Sequence, residues 1–239
     1  EGLAKRGYDL FLISLPGEGL ADTSARISMT YDVRCHFLEG DLCSPEVRRL
    51  LLEQVMDTGM DLHVIVNNAG LGSTSPFFQV PADFYERQVM LNSAVPVMLT
   101  HALIPRMVRN GRGHILMVSS LGAFIHVPEK AVYDATKAFI AHLSQAIRPL
   151  LKERQVHLCV CFPGPVNTNQ RLRQFHAGLS GLARKMVMEP GQVAEESLHA
   201  LFNHRKQIIP GHWNRALNAL RSILPDAWVR SIITRRLRG

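Results

Sequence analysis

In the stretch Tyr133-Asp134-Ala135-Thr136-Lys137, a phenol stands four residues ahead of an ammonium group. On a helix, positions i and i+4 share a face, so the two side chains are neighbours. A free tyrosine has a pKa of about 10 and is a poor base near neutrality, but a cation within a few ångströms stabilises the phenolate and lowers that value. The pair has the parts of a proton-transfer device. Two solvated polar residues are the plainer reading, and for an arbitrary Y-x-x-x-K the commoner one. Context shifts the balance: the helix follows an apolar run ending at Ser119 and Ser120, and the loop between could fold the phenol back over the Ser120 hydroxyl.

Other apolar runs end in the same kind of chemistry. One stops at Asp41, one at Asn67-Asn68-Ala69-Gly70, and one at Pro163-Gly164-Pro165-Val166-Asn167-Thr168. One such end would mean little. Together they line a cleft with carboxylate, amide, hydroxyl and closely approachable backbone.

The elements that must position these residues alternate along the chain. Residues 8–14, 33–41, 62–68, 113–120 and 156–164 are short runs rich in Val, Ile and Leu, as suits strands buried on both faces. Helix-length segments over 45–58, 81–110, 128–153 and 190–204 separate or follow them. This alternation predicts an α/β fold, a doubly wound parallel sheet covered on both sides, in which ligands bind outside the carboxyl ends of the strands.

Composition sets the outer limits. At 239 residues and 26.7 kDa, with 46% hydrophobic and 20% charged residues and no linker-like stretch, one globular domain spanning 1–239 is expected. The formal charge of +7 collects late, at Arg171, Arg173, Arg184, Lys185 and the arginines after 229, without zinc-ligand spacing or interleaved aromatics, so a nucleic-acid partner is not expected. Cys35, Cys43, Cys159 and Cys161 lack metal-ligand spacing and read as small buried thiols in a reducing compartment. No apolar run reaches the roughly 18 residues of a membrane span, which makes the cytoplasm the default.

The set of NNAG (67–70), Asn92 in a long helix, Ser119-Ser120 ending a strand, Tyr133-x-x-x-Lys137 and PGPVNT (163–168) resembles the classical short-chain dehydrogenase/reductase family over nearly the whole chain. Each motif is weak alone and the combination is specific. The resemblance implies a Rossmann-like fold and hydride transfer between a nicotinamide cofactor and a carbonyl or secondary alcohol. It implies Tyr133 as acid/base and Lys137 as the cation that lowers its pKa and holds the nicotinamide ribose. Ser120 would position the substrate oxygen, Ser119 lying one residue too far from Tyr133, and Asn92 would anchor a water or cap a helix irregularity. For the cofactor it implies Asp41 at the adenine amino group with Leu42 adjacent, Asn67 and Asn68 fixing strands, and Ala69 and Gly70 leaving space near the adenine ribose. Pro163, Gly164, Val166 and Thr168 would contact the nicotinamide end, a plain turn being the alternative.

At the end of the run 8–14 stand Ser14 and Leu15, neither the carboxylate that binds a ribose 2′-hydroxyl nor the arginine that accepts a 2′-phosphate. Without a carboxylate to repel it, a 2′-phosphate bonded by Ser14 is favoured, so NADP is expected ahead of NAD. One departure stands out. The first strand and glycine-rich turn of the family should precede the run 8–14, and Gly17-Glu18-Gly19 is no substitute for that turn. A fragment of a longer chain is the expectation, with the strands flanking the missing one left unpaired or forced to meet.

Residues 170–190 fall where the family places a mobile lid, and 212–239 read as a basic helical tail that packs on the domain or docks on an anionic bilayer. The long helices imply a homodimer or homotetramer. Three functions stay open: an NAD(P)-dependent carbonyl reductase or alcohol dehydrogenase, a catalytically silent nucleotide-sensing or partner-binding relative, and a membrane-peripheral lipid carbonyl reductase.

Overall fold

The structure is a computed structural model that describes residues 1–72, 75–125 and 127–221. In chain order it places β1 (Leu10–Ser14), α1 (Leu20–Tyr31), β2 (Cys35–Glu39), α2 (Pro45–Asp57), β3 (Val64–Asn67), α3 (Ala82–Val89), α4 (Val95–Arg109) and β4 (Gly113–Val118). Then follow α5 (Ala131–Lys152), β5 (Val156–Cys161), α6 (Gln170–Ala177), α7 (Gly181–Met186), α8 (Pro190–Phe202), β6 (Gln207–Ile208) and α9 (His212–Arg221). All strand pairs are parallel. The predicted α/β alternation is present. Of the basic tail expected over 212–239, the residues after 221 lie outside the described residues, and the start of it is α9.

The core is built on β4 and β5. Ile115, Met117, Leu158 and Val160 pack against Leu103 and Met107 of α4 and Ile140 of α5. Leu116, Cys159 and Cys161 point the other way, onto Leu198 and Leu201 of α8. Strands apolar on both faces are what a parallel sheet with helices on both sides demands. Burial pushes the Cys159 thiol up to about 12 and the Cys161 thiol up to about 11, so both are inert packing groups. No described helix is long and apolar enough to cross a membrane.

The segment 81–110 is not one helix. A π-helical turn, Met90–Ala94, separates α3 from α4, and Asn92 sits inside it. Such a widened turn displaces backbone from the regular ladder and marks functional positions in helices.

The sheet is interrupted. β1 pairs only with β2, while β3, β4, β5 and β6 form a separate four-stranded sheet. Leu10 donates its N–H to Arg34 and Gly40 donates to Ser14, so Leu10, Leu12 and Ser14 serve β2, and Phe11 and Ile13 turn their peptide groups to the open edge. By the same alternation Val64 and Val66 carry the open edge of β3, and Val66 is 40% exposed in the middle of a strand. Of the two outcomes expected for the flanking strands, the open-edge one holds. We predict that the amides of Phe11, Ile13, Val64 and Val66 exchange with deuterium at least tenfold faster than those of Ile115 and Leu158; equal protection would mean that these edges are paired in solution.

At the amino ends of β4 and β5, His114, His157 and His204 form ring contacts of 4.9 to 6.3 Å between centroids. Burial, followed by the charges of His157 and His204, lowers the His114 pKa to about 4. The folded state thus binds the proton less readily than the unfolded chain, whose histidine titrates near 6.5. Stability is full above about 6.5 and falls as pH drops toward 4, by about 1–2 kcal/mol once solvent screening of a half-buried ring is allowed for. Denaturant unfolding at about pH 7 and pH 5 should show this loss in the wild type and a smaller loss in His114→Gln.

Candidate active site

The joint between β4 and α5 sets the site. Ser119 Oγ donates to the Lys137 carbonyl at 2.7 Å, and Lys137 Nζ donates to the Val118 carbonyl at 2.9 Å. These bonds run in opposite directions and hold the helix across the end of the strand. Ser119 is thereby a structural hydroxyl, which leaves Ser120 facing the cleft. Lys137 is 5% exposed, and desolvation brings its ammonium down to about 8.

One turn earlier, Tyr133 stands near enough to the Ser120 hydroxyl, which itself accepts the Gly122 N–H at 3.0 Å, for that hydroxyl to act on the phenol. Thr136 Oγ1 donates to the Tyr133 carbonyl at 2.7 Å and fixes that turn of the helix. The direction of the phenol's shift differs from expectation. Burial raises it above its ordinary value, the nearby Ser120 hydroxyl lowers it, and the neighbouring Asp134 raises it again. Lys137 Nζ lies 5.8 Å from the centre of the tyrosine ring and is turned toward the Val118 carbonyl. In this state desolvation outweighs the cation, and the predicted lowering of Tyr133 by Lys137 is absent.

Asn92 is 1% exposed and acts as a strut. Its Oδ1 accepts from the Leu71 N–H at 2.7 Å, while Nδ2 donates to the Leu71 carbonyl at 2.9 Å and to Thr136 Oγ1 at 3.1 Å. The side chain therefore ties the segment after β3 to the helix of Tyr133, the buried-amide reading of this residue. Gln88, also fully buried, donates to the same Leu71 carbonyl at 3.0 Å. Gln88 and Thr136 carry no motif that sequence reasoning could have found; only their burial between elements reveals them.

The expected cofactor residues divide into two groups. Asn68, Ala69 and Gly70 are exposed at the end of β3, and a Cβ on Gly70 would stand 3.2 Å from Asn92 Oδ1 and 3.3 Å from Lys137 Nζ. Asn67 Nδ2 donates to Thr100 Oγ1 of α4 at 2.9 Å and to Met117 Sδ of the neighbouring strand β4 at 3.2 Å. Asp41 and Ser14 belong to the separate β1–β2 sheet. Asp41 accepts the Cys43 N–H with Oδ1 and Arg87 Nη2 with Oδ2, both at 2.9 Å, and these bonds, the first foremost, hold its carboxyl below the usual range. Leu42 is buried in the core beside Leu51 and Val95, so only its backbone is available to a ligand. Ser14 Oγ donates to the Leu15 carbonyl.

After β5, the Pro163 carbonyl accepts from the Leu121 N–H at 3.0 Å, which joins two of the strand ends. Gly164 is packed closely: a Cβ there would lie 2.4 Å from Asn214 Oδ1 of α9. Val166 forms an isolated parallel bridge with Met188 that uses the Pro165 carbonyl and the Asn167 N–H, not its own N–H. Thr168 is exposed. The segment expected as a lid forms α6 and α7, latched by His176 Nδ1 to Asn167 Oδ1 at 2.8 Å and by Arg173 to Glu189 at 2.8 Å.

The exposed small residues Ala69 and Gly70 adjoin the buried Lys137 cation, beside which Tyr133 and Ser120 stand, which leaves room for a ligand to approach the backbone there. Among the described residues there is no glycine-rich turn of the kind that cradles a pyrophosphate. We predict that Asn92→Ala, which strands the Leu71 peptide groups, costs about 2–3 kcal/mol in thermal or denaturant unfolding; a loss below about 0.5 kcal/mol would show that the strut carries no strain-bearing role.

A family model described as short chain dehydrogenase matches residues 1–177. The chain is 26% identical over 201 residues to dehydrogenase/reductase SDR family member 7B of Bos taurus, covering 82% of this chain and 62% of that protein. It is 32% identical over 154 residues to a very-long-chain 3-oxoacyl-CoA reductase of Coprinopsis cinerea, covering 63% and 45%. To the uncharacterized oxidoreductase YbbO of Escherichia coli it is 30% identical over 175 residues, covering 70% and 65%. The chain thus spans from about half to two thirds of the length of these relatives. Among solved structures it is similar to a short-chain dehydrogenase from Sphingobium yanoikuyae in complex with NADPH, with TM-score 0.78 and 26% identity, over 92% of this chain and 85% of that one.

Proposed function

Because the chain belongs to the short-chain dehydrogenase family, we propose that it is an NAD(P)-dependent oxidoreductase that moves a hydride between a nicotinamide and a carbonyl or secondary alcohol, with Tyr133 as acid/base. The observation that carries this reading is the proximity of the Ser120 hydroxyl and the Tyr133 phenol beside a buried lysine one turn on. When bound, the cofactor supplies or removes the hydride at carbon. The chain's own residues handle the oxygen, where a proton must move in step.

Ser120 and Tyr133 offer two hydroxyls to one substrate oxygen. The Tyr133 Oη gives up its proton to the developing alkoxide in reduction and takes it back in oxidation. A phenol raised by burial is protonated at neutral pH, which is the form that reduction requires. Lys137 Nζ, held by the Val118 carbonyl, is the cation nearest the phenol, and Asn92 and Thr136 keep Tyr133 and the Ala69–Gly70 edge in register.

NADP is favoured over NAD, because Ser14 stands where a carboxylate would repel a 2′-phosphate, and the Sphingobium yanoikuyae relative binds NADPH. The substrate is an apolar carbonyl compound: Phe175 of α6 is 55% exposed beside basic residues, and a related protein is named as a very-long-chain 3-oxoacyl-CoA reductase. A homo-oligomer is favoured by Met98 of α4 and Phe139 and Leu150 of α5, all exposed on the long helices.

Tyr133→Phe should cut NADPH-dependent reduction of an apolar ketone by at least about 100-fold while NADPH affinity, followed by its fluorescence, stays within about twofold. Retained turnover in that variant would remove Tyr133 from the chemistry.

A further inference from the structure

Asp134 follows the acid/base tyrosine on α5, yet it points elsewhere. It is 6% exposed, with its carboxyl against the turn that leads away from Ser120. Oδ2 accepts the Val127 N–H at 3.4 Å, and Oδ1 is buried with no hydrogen-bond partner. Gly122 lies directly against it: a Cβ at that position would stand 2.0 Å from Oδ1 and 3.4 Å from Ser120 Oγ. Gly122 also donates its N–H to Ser120 Oγ at 3.0 Å. Gly122 is therefore packed between the Asp134 carboxyl and the Ser120 hydroxyl, and Asp134 adjoins Tyr133 along α5.

We propose that Asp134 is a positioning residue of the reaction: its buried carboxyl pins the Ser120–Val127 turn to α5 and places a switchable negative charge one residue from the acid/base phenol. The proposal rests on the reading of Tyr133 as acid/base. A buried carboxyl with one oxygen unpartnered is costly as an anion, and that cost is relieved by protonation. Burial pushes this carboxyl up to about 7, against the lowering effects of the Val127 N–H and then of Lys130. The charged and titratable groups that act on it or feel it are Lys130, whose charge lowers it, and Tyr133, which it raises; Lys137 follows on the same helix with its ammonium turned to the Val118 carbonyl, and Arg221 of α9 donates to the Phe124 carbonyl of the turn. When Asp134 is ionised, its charge opposes formation of a second anion at Tyr133; when it is neutral, that opposition is gone. Near neutral pH the chain can thus adjust its proton donor without any movement of the donor itself.

The test reads the phenol directly. Near-ultraviolet difference absorbance of wild type against Tyr133→Phe isolates Tyr133 from the other three of the four tyrosines, and the same difference is taken in the Asp134→Asn background. With the charge removed and the shape kept, the phenolate fraction of Tyr133 at about pH 9 should rise roughly threefold or more. A second reading follows the Val127 amide by hydrogen exchange, corrected for intrinsic rate, from about pH 6 to pH 8. Its protection should rise severalfold in the wild type, as the carboxylate becomes a stronger acceptor, and stay flat in Asp134→Asn. Superimposable phenol titrations would overturn the electrostatic role, and identical Val127 profiles would overturn the pinning. Neither reading needs turnover, so a chain inactive toward carbonyls would defeat the proposed function while leaving these two outcomes interpretable.

Discussion

The reciprocal bond between Ser119 and Lys137 across the end of β4 is the constraint on which the site depends. An ammonium 95% withdrawn from water is costly unless it is well bonded, and here one carbonyl, that of Val118, holds it. The serine of the next residue returns the bond to the lysine's own carbonyl, so the strand and the helix cannot slide without losing both. With that joint fixed, the positions one residue on along the strand and one turn back along the helix, Ser120 and Tyr133, have little freedom relative to each other. Rigid elements on either side of a joint hold catalytic groups more closely than loops do.

The opposite side of the cleft is organised differently. Asn92 uses an irregular helical turn to bring its amide to Leu71, and Gln88 reaches the same carbonyl from the preceding helix. These bonds define where the small residues Ala69 and Gly70 stand relative to Lys137. The β1–β2 pair that carries Ser14 and Asp41 has no ladder to β3, and it packs instead through Phe11, Ile13 and Leu38 onto α2 and α4. Side-chain packing thus couples the adenine-side residues to the rest of the molecule where backbone pairing does not.

Much of this was legible in the sequence. Strands buried on both faces announce themselves as Val-, Ile- and Leu-rich runs, and their ends were marked by Asp41, Asn67–Gly70, Ser120 and Pro163. Tyr133 and Lys137 were recognisable because helical spacing alone places them together, and open edges on β1 and β3 were one of the two outcomes expected for those strands. What was not legible depended on contacts between distant segments. That Asn214, fifty residues later, packs against Gly164 has no sign in the motif itself. The helix over 81–110 reads as continuous because a π-turn has no apolar period of its own. The raised phenol could not be foreseen either: spacing places a cation near an oxygen, but only the fold decides whether that cation faces the oxygen or a carbonyl.

That last distinction bears on the charge the site tolerates. Tyr133, Asp134 and Lys137 lie within five residues of one helix, and burial moves each toward its neutral form: the phenol up, the carboxyl up to about 7, the ammonium down to about 8. Burial thus disfavours charge in all three groups, and Lys137 directs its ammonium to the Val118 carbonyl rather than to a phenolate. Under the oxidoreductase reading proposed above, that same desolvation keeps the phenol in the protonated form from which a reduction would begin.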